Sequence, residues 1–142
     1  MHKLPSLDAL LAKAWQHSAV GDTASALELA QEAYASDPGH VPAVTALGYF
    51  LLHVGQYEAA HTVLWPATQQ WPQSATLHWY AGLAERQLGR TEFAIDLLRW
   101  ACTLDPALDE AAFTLAWALY DHGALEEALY WAYHALAAQR SA

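Results

Sequence analysis

The sequence predicts an all-α fold, a solenoid of four antiparallel helix pairs, and three observations predict it. Glycine recurs at Gly21, Gly55, Gly89 and Gly123, 34 residues apart without drift. Alanine follows each glycine at a spacing of five (Ala26, Ala60, Ala94, Ala128) and again seven further on (Ala33, Ala67, Ala101, Ala135). Proline closes the first three units at Pro38, Pro72 and Pro106. A fixed period of this length marks stacked repeats, each of which needs its neighbours to bury its apolar face. The expected organisation is one domain over residues 1–142, with units 7–40, 41–74, 75–108 and 109–142.

Each unit splits at its glycine into two apolar-periodic segments of about 13–15 residues, ordinary helix lengths. Helices are expected over 6–19 and 22–36, 41–53 and 56–70, 75–88 and 90–103, and 109–121 and 124–138. The first helix of each pair must stop and reverse within a few residues, and glycine accepts the left-handed backbone that ends a helix. The two alanines share one face of the second helix, where small side chains let paired helices approach closely. The closing proline cannot continue a helix, and Asp37 and Asp105 before two of the prolines add turn chemistry. Pro66 falls inside the second helix of unit two, where loss of a ladder bond costs about 3 kcal/mol. A kink or early break is therefore expected near Trp65.

In-register copies of Leu or a large residue, Gly or Ala, Ala, a large residue, Ala and Pro resemble the tetratricopeptide repeat family. Unit two carries this pattern most fully, as Val44, Leu47, Gly48, Leu51, Ala60, Leu64, Ala67 and Pro72. Unit three keeps Gly82, Ala94, Leu98, Ala101 and Pro106, and unit four keeps Leu115, Ala116, Leu119, Ala128 and Ala135. The resemblance covers residues 7–140 and implies a right-handed α-α superhelix. Departures are Lys13 and His17 in unit one, His78 and Glu85 in unit three, and Arg140 in place of the last proline. His78 and Glu85 lie seven apart on one helix face and are expected to form a structural pair.

The resemblance further implies that the first helices line a concave face. Positions 5, 9 and 12 of each unit, at i, i+4 and i+7, share a face on any helix. They read Leu11, Trp15 and Ser18, then Thr45, Tyr49 and Leu52, then Trp79, Leu83 and Arg86, then Phe113, Trp117 and Tyr120. The expected ligand-binding residues are Leu11, Trp15, Tyr49, Leu52, Trp79, Leu83, Arg86, Phe113, Trp117 and Tyr120. An aromatic groove of this kind accepts an apolar peptide or amphipathic helix. The competing reading packs the same aromatics sideways against the next repeat. The Lys/Asn clamp that some relatives use on acidic tails is absent, since the matching residues are Leu11, Trp15, Ala46, Thr76 and Tyr80.

The final predicted helix carries Leu125, Leu129, Tyr130, Trp131, Tyr133 and Leu136, where a terminal repeat ordinarily turns a polar face to water. Leu129, Tyr130, Trp131 and Tyr133 are the candidate contacts of a homodimer through that helix, unless the chain continues beyond it.

Hydrophobic residues make up 55% and charged residues 15%, a balance that excludes disorder. The net charge is −9, and the six Lys and Arg are spread along the chain, which argues against nucleic acid and anionic membrane surfaces. A neutral or basic protein partner fits better. Cys102 stands alone, so no disulfide framework or thiolate cage is expected. The eight histidines form no HExxH and no i, i+4 pair on a predicted helix, and no metal or cofactor is expected. Phosphate-loop and nucleophile-elbow motifs are likewise missing, so a non-enzymatic interaction module is the expectation. Pro5 and Asp8 interrupt any secretory apolar run, which makes cytoplasmic residence the default. The resemblance admits three versions: a bacterial-type chaperone or assembly factor, a type III secretion translocator chaperone, and the substrate-docking segment of a larger enzyme such as a protein glycosyltransferase.

Overall fold

Glycine backbone geometry builds the repeats of this protein. The computed structural model describes residues 6–141, and among them all regular structure is helical. The helices are α1 (Leu7–Ala19), α2 (Thr23–Ser36), α3 (Val41–His53), α4 (Tyr57–Gln70), α5 (Ala75–Gln87), α6 (Thr91–Leu104), α7 (Asp109–Asp121) and α8 (Leu125–Ser141). Gly21, Gly55, Gly89 and Gly123 all take the left-handed conformation, with φ of 84, 80, 81 and 86°. Each sits inside the same pair of closing hydrogen bonds. Gly21 N donates to Ser18 O at 3.0 Å and Asp22 N to His17 O at 2.9 Å; Gly123 N donates to Tyr120 O at 3.0 Å and Ala124 N to Leu119 O at 2.9 Å. This double bond pattern satisfies carbonyls that the helix end would otherwise leave unpaired.

The chain falls into two compact units, Met1–Val63 and Leu64–Ala142. In the first, α2 packs on both α1 and α3. Its core holds Leu10, Ala14, Ala26, Leu27, Ala30, Val44, Leu47, Phe50 and Leu51, all buried. Lys13 is exposed, and His17 Nδ1 lies 3.4 Å from Asp22 Oδ2, so both departures from the repeat pattern face outward. Asp22 also caps α2 by accepting from Ser25 N. The Ser25 hydrogen bonds, helped by His17, hold the Asp22 carboxyl below the usual carboxylate range.

In the second unit α6 packs on α5 and α7, and α7 packs on α8. At Gly82, α5 and α6 approach closely: a Cβ there would stand 2.7 Å from Leu98 Cγ. Ser74 caps α5 by accepting from Leu77 N at 3.3 Å. His78 and Glu85 are both buried but take other partners than the expected mutual pair: His78 Nδ1 donates to Ser74 O at 2.7 Å, and Arg90 Nη1 donates to Glu85 Oε2 at 3.1 Å. The paired alanines behave as expected, from Ala26 and Ala33 at 0% exposure to Ala128 at 8%.

Of the two outcomes expected at Pro66, an early break does not occur, because α4 runs from Tyr57 to Gln70 through it. Thr62 and Pro66 both lie on the exposed side of α4, where water can satisfy the carbonyl that loses its partner. The remaining helix limits fall within three residues of those expected. Among the described residues, no helix is long and apolar enough to cross a membrane, and no three His, Cys, Asp or Glu side chains converge as metal ligands.

Candidate functional site

The twelve same-face positions meet different fates, decided by what covers them. In the first unit Leu11 is only 5% exposed and belongs to the core, so it offers a ligand almost nothing. Trp15 is 41% exposed and leans on α3, with its ring centroid 5.1 Å from that of Tyr49 and 4.7 Å from that of Phe50. Tyr49 in turn tilts over His53 at 4.4 Å, its hydroxyl 3.4 Å from His53 Nε2. Leu52 is half-buried beside them. The result is a small aromatic cluster built by α1 and α3, open on the Trp15 side.

In the second unit, two of the expected groove residues cross-link helices. Trp79 Nε1 donates to Thr114 Oγ1 at 3.1 Å, and Arg86 Nε donates to Asp121 Oδ2 at 2.8 Å. Both bonds run from α5 to α7. Sideways packing against the next repeat, the competing reading, therefore describes Trp79 and Arg86. Leu83 is half-buried. Trp117 and Tyr120 differ: they are 57% and 58% exposed and meet edge to face at 6.0 Å.

Those two rings stand over a groove of about 610 Å³ between α7 and α8. Phe113, Ala116, Trp117 and Tyr120 form one wall, and Leu125, Ala128, Leu129 and Ala132 form the other. Every lining side chain is hydrocarbon or aromatic, and Tyr120 brings the single hydroxyl. Such a surface suits apolar groups.

Of the dimer candidates on α8, Leu129, Tyr130 and Tyr133 are 58%, 61% and 68% exposed, whereas Trp131 turns inward against the α6/α7 core. The groove wall formed by Leu125 and Ala132 escaped sequence reasoning, which assigned the binding face to first helices alone. The signal was present for Ala132: 34 residues earlier stands Leu98, buried in one cluster with α7.

Cys102, in α6, is 5% exposed, and burial pushes its thiol up to about 11. It stays protonated at neutral pH and acts as a small apolar core residue.

Comparison with known proteins agrees with this architecture. Residues 18–84 match the family model described as tetratricopeptide repeat. No curated protein matches the sequence. Among solved structures, MamA from Desulfovibrio magneticus RS-1 superposes with a TM-score of 0.83 at 22% identity, covering 96% of this chain and 77% of that one. MamA of AMB-1 gives a TM-score of 0.80 at 26% identity, covering 96% and 81%. MamA of MSR-1 gives 0.77 at 25% identity, covering 97% and 80%. With its glycine-closed helix pairs and these structural likenesses, the chain carries tetratricopeptide repeats over residues 18–84 and the tetratricopeptide-type helical fold beyond them, an architecture of the protein–protein interaction type.

Proposed function

We propose that this protein is a non-enzymatic module that holds an apolar or amphipathic segment of a partner protein on the surfaces its first helices leave open. The observation that carries this reading is Trp117 and Tyr120, each more than half exposed above an all-apolar groove. A contiguous exposed patch of this kind is uncommon on a protein that works alone. Trp15 and Tyr49 on the first unit supply a smaller surface of the same chemistry.

The energetics favour a reversible complex. Full burial of a large side chain is worth ~1.5–3 kcal/mol, and about half of Trp117, Tyr120, Leu125 and Leu129 remains to be covered. Four such residues matched by four from the partner return roughly 8 kcal/mol, from which association costs are drawn. With costs of about 4 kcal/mol or more, this patch alone supports a complex of roughly millimolar affinity, a weak and reversible hold that suits a cytoplasmic chaperone, an assembly factor or the docking segment of a larger enzyme.

Affinity capture with the wild-type chain and with Trp117→Ser/Tyr120→Ser tests the reading. A partner kept by the first and lost from the second is the expected result; an identical set of captured proteins contradicts it. A homodimer through α8 is the second reading, favoured by the exposure of Tyr130 and Tyr133, and sedimentation of Tyr130→Ser/Tyr133→Ser against wild type decides it.

A further inference from the structure

We infer that the groove between α7 and α8 seats one α-helix of a partner protein, with an apolar face patterned like that of α7 and flanks carrying lysine or arginine. This rests on the interaction-module reading and names the occupant.

The protein contains the same seat already filled. Shifting the groove residues back by 34 gives Trp79, Gly82, Leu83, Arg86, Thr91, Ala94, Ile95 and Leu98, on α5 and α6. There α7 lies in place, and Ile95 and Leu98 are 6% and 0% exposed. In the first unit α3 packs on α2, where the corresponding Leu27 and Ala30 are 9% and 0% exposed. At the third such seat Leu129 is 58% exposed and Ala132 half-buried. Two filled examples in one chain define what the open one accepts.

They also define the key. The seated helices present Ala111, Ala112, Leu115, Ala118 and Leu119 on α7, and Ala43, Val44, Leu47, Phe50 and Leu51 on α3. The shared pattern is small or branched residues at i and i+1, Leu at i+4, and apolar residues at i+7 and i+8. Where the filled seat asks for a carboxylate, through Arg86 to Asp121, the open seat has Tyr120, so the incoming helix needs none there.

Charge settles the flanks. The α7/α8 pair carries Asp109, Glu110, Asp121, Glu126 and Glu127. Asp121 is met by Arg86 and Glu127 by Arg99, while Asp109, Glu110 and Glu126 have no ion-pair partner among the described residues. The first turn of α7 holds Asp109 and Glu110, and that of α8 holds Glu126, so negative charge stands at both ends of the groove. A helix with Lys or Arg along its edges complements this field.

A second copy of the chain fits poorly. At the pattern positions α1 presents Ala9, Leu10, Lys13, Gln16 and His17, and stacking it into the groove would bury a lysine where leucine is wanted. Two copies would also each bring a net charge of −9.

The test uses the full chain and a synthetic amphipathic peptide of about sixteen residues. The peptide bears Ala, Ala, Leu, Ala and Leu at the α7 spacing and Lys elsewhere; its twin has Glu for every Lys. The Lys peptide is expected to bind and gain helical circular dichroism. Affinity should fall by about tenfold or more for the Glu twin, and equally for the Lys peptide with Leu129→Asp. Leu129 is mostly exposed, so that variant should melt like wild type, which separates lost binding from lost folding. Equal binding of the twin, or binding indifferent to Leu129→Asp, overturns the inference. Light scattering that shows a dimer, made monomeric by Leu129→Asp, gives the groove to a second copy and overturns it too. Peptide binding abolished by Trp15→Ser but untouched by Leu129→Asp sinks this seat and leaves the interaction-module reading standing.

Discussion

Two grooves in the second unit share a register and differ in occupancy. The α5/α6 groove is filled by α7, which covers Ile95 and Leu98 and is pinned by Trp79 to Thr114 and by Arg86 to Asp121. The α7/α8 groove repeats the same positions, with Trp117 for Leu83 and Leu125 for Thr91, and leaves Trp117, Tyr120, Leu125 and Leu129 in water. The difference shows how a repeat protein separates stability from recognition. The same helix-sized trough is core where α7 fills it and stays exposed between α7 and α8 among the described residues, where we propose a partner docks.

The sharpest probe of the filled groove is Cys102, which lies in the buried cluster with Ala111, Ala112 and Leu115 of α7. Its thiol is pushed up to about 11, so roughly a thousandth is thiolate at pH 8. Alkylation by iodoacetamide should be hundreds of times slower than for an exposed cysteine and should rise with pH toward that value. Rapid reaction at pH 8 would mean that α7 leaves its seat. Leu115 comes next, fully buried beneath that contact. Leu115→Ala should cost about 2–5 kcal/mol in urea unfolding. Gly82→Ala tests the close approach of α5 and α6, where the new methyl meets Leu98, itself 0% exposed. Overpacking of about 1–3 kcal/mol should outweigh the gain of ~1 kcal/mol in helix propensity, and a stabilised variant would deny the approach. The smallest effect belongs to the open groove. Leu129→Ser, at the register position of Ile95, should change stability by no more than about 0.5 kcal/mol. A cost like that of Leu115→Ala would mean the groove is already covered.

The helix pairs were legible because the period is carried by residues with one physical job each. A left-handed turn asks for glycine, and close helix contact asks for alanine; Gly21 and Ala26 reveal both without any neighbour being known. Pro66 misled because propensity counts a lost bond without asking whether water replaces it. The proposed binding face was half legible. Spacing places Trp79, Arg86, Trp117 and Tyr120 on one side of their helices, but exposure depends on what lies one repeat further on. Trp79 and Arg86 have α7 there and become cross-links, whereas Trp117 and Tyr120 remain uncovered. Leu11 sank into the core, and Leu125 joined the groove from the second helix of its pair, where first-helix periodicity cannot look.

The most direct measurement is the indole N–H resonance of each tryptophan in a 15N-labelled chain, followed through solvent exchange and titration with the lysine-flanked helical peptide. Trp117 should exchange quickly and shift on titration, while Trp79, bonded to Thr114, should be protected and stay in place. Protection of Trp117 in the unliganded chain, or peptide-induced shifts confined to Trp100 on α6, would contradict an open seat between α7 and α8.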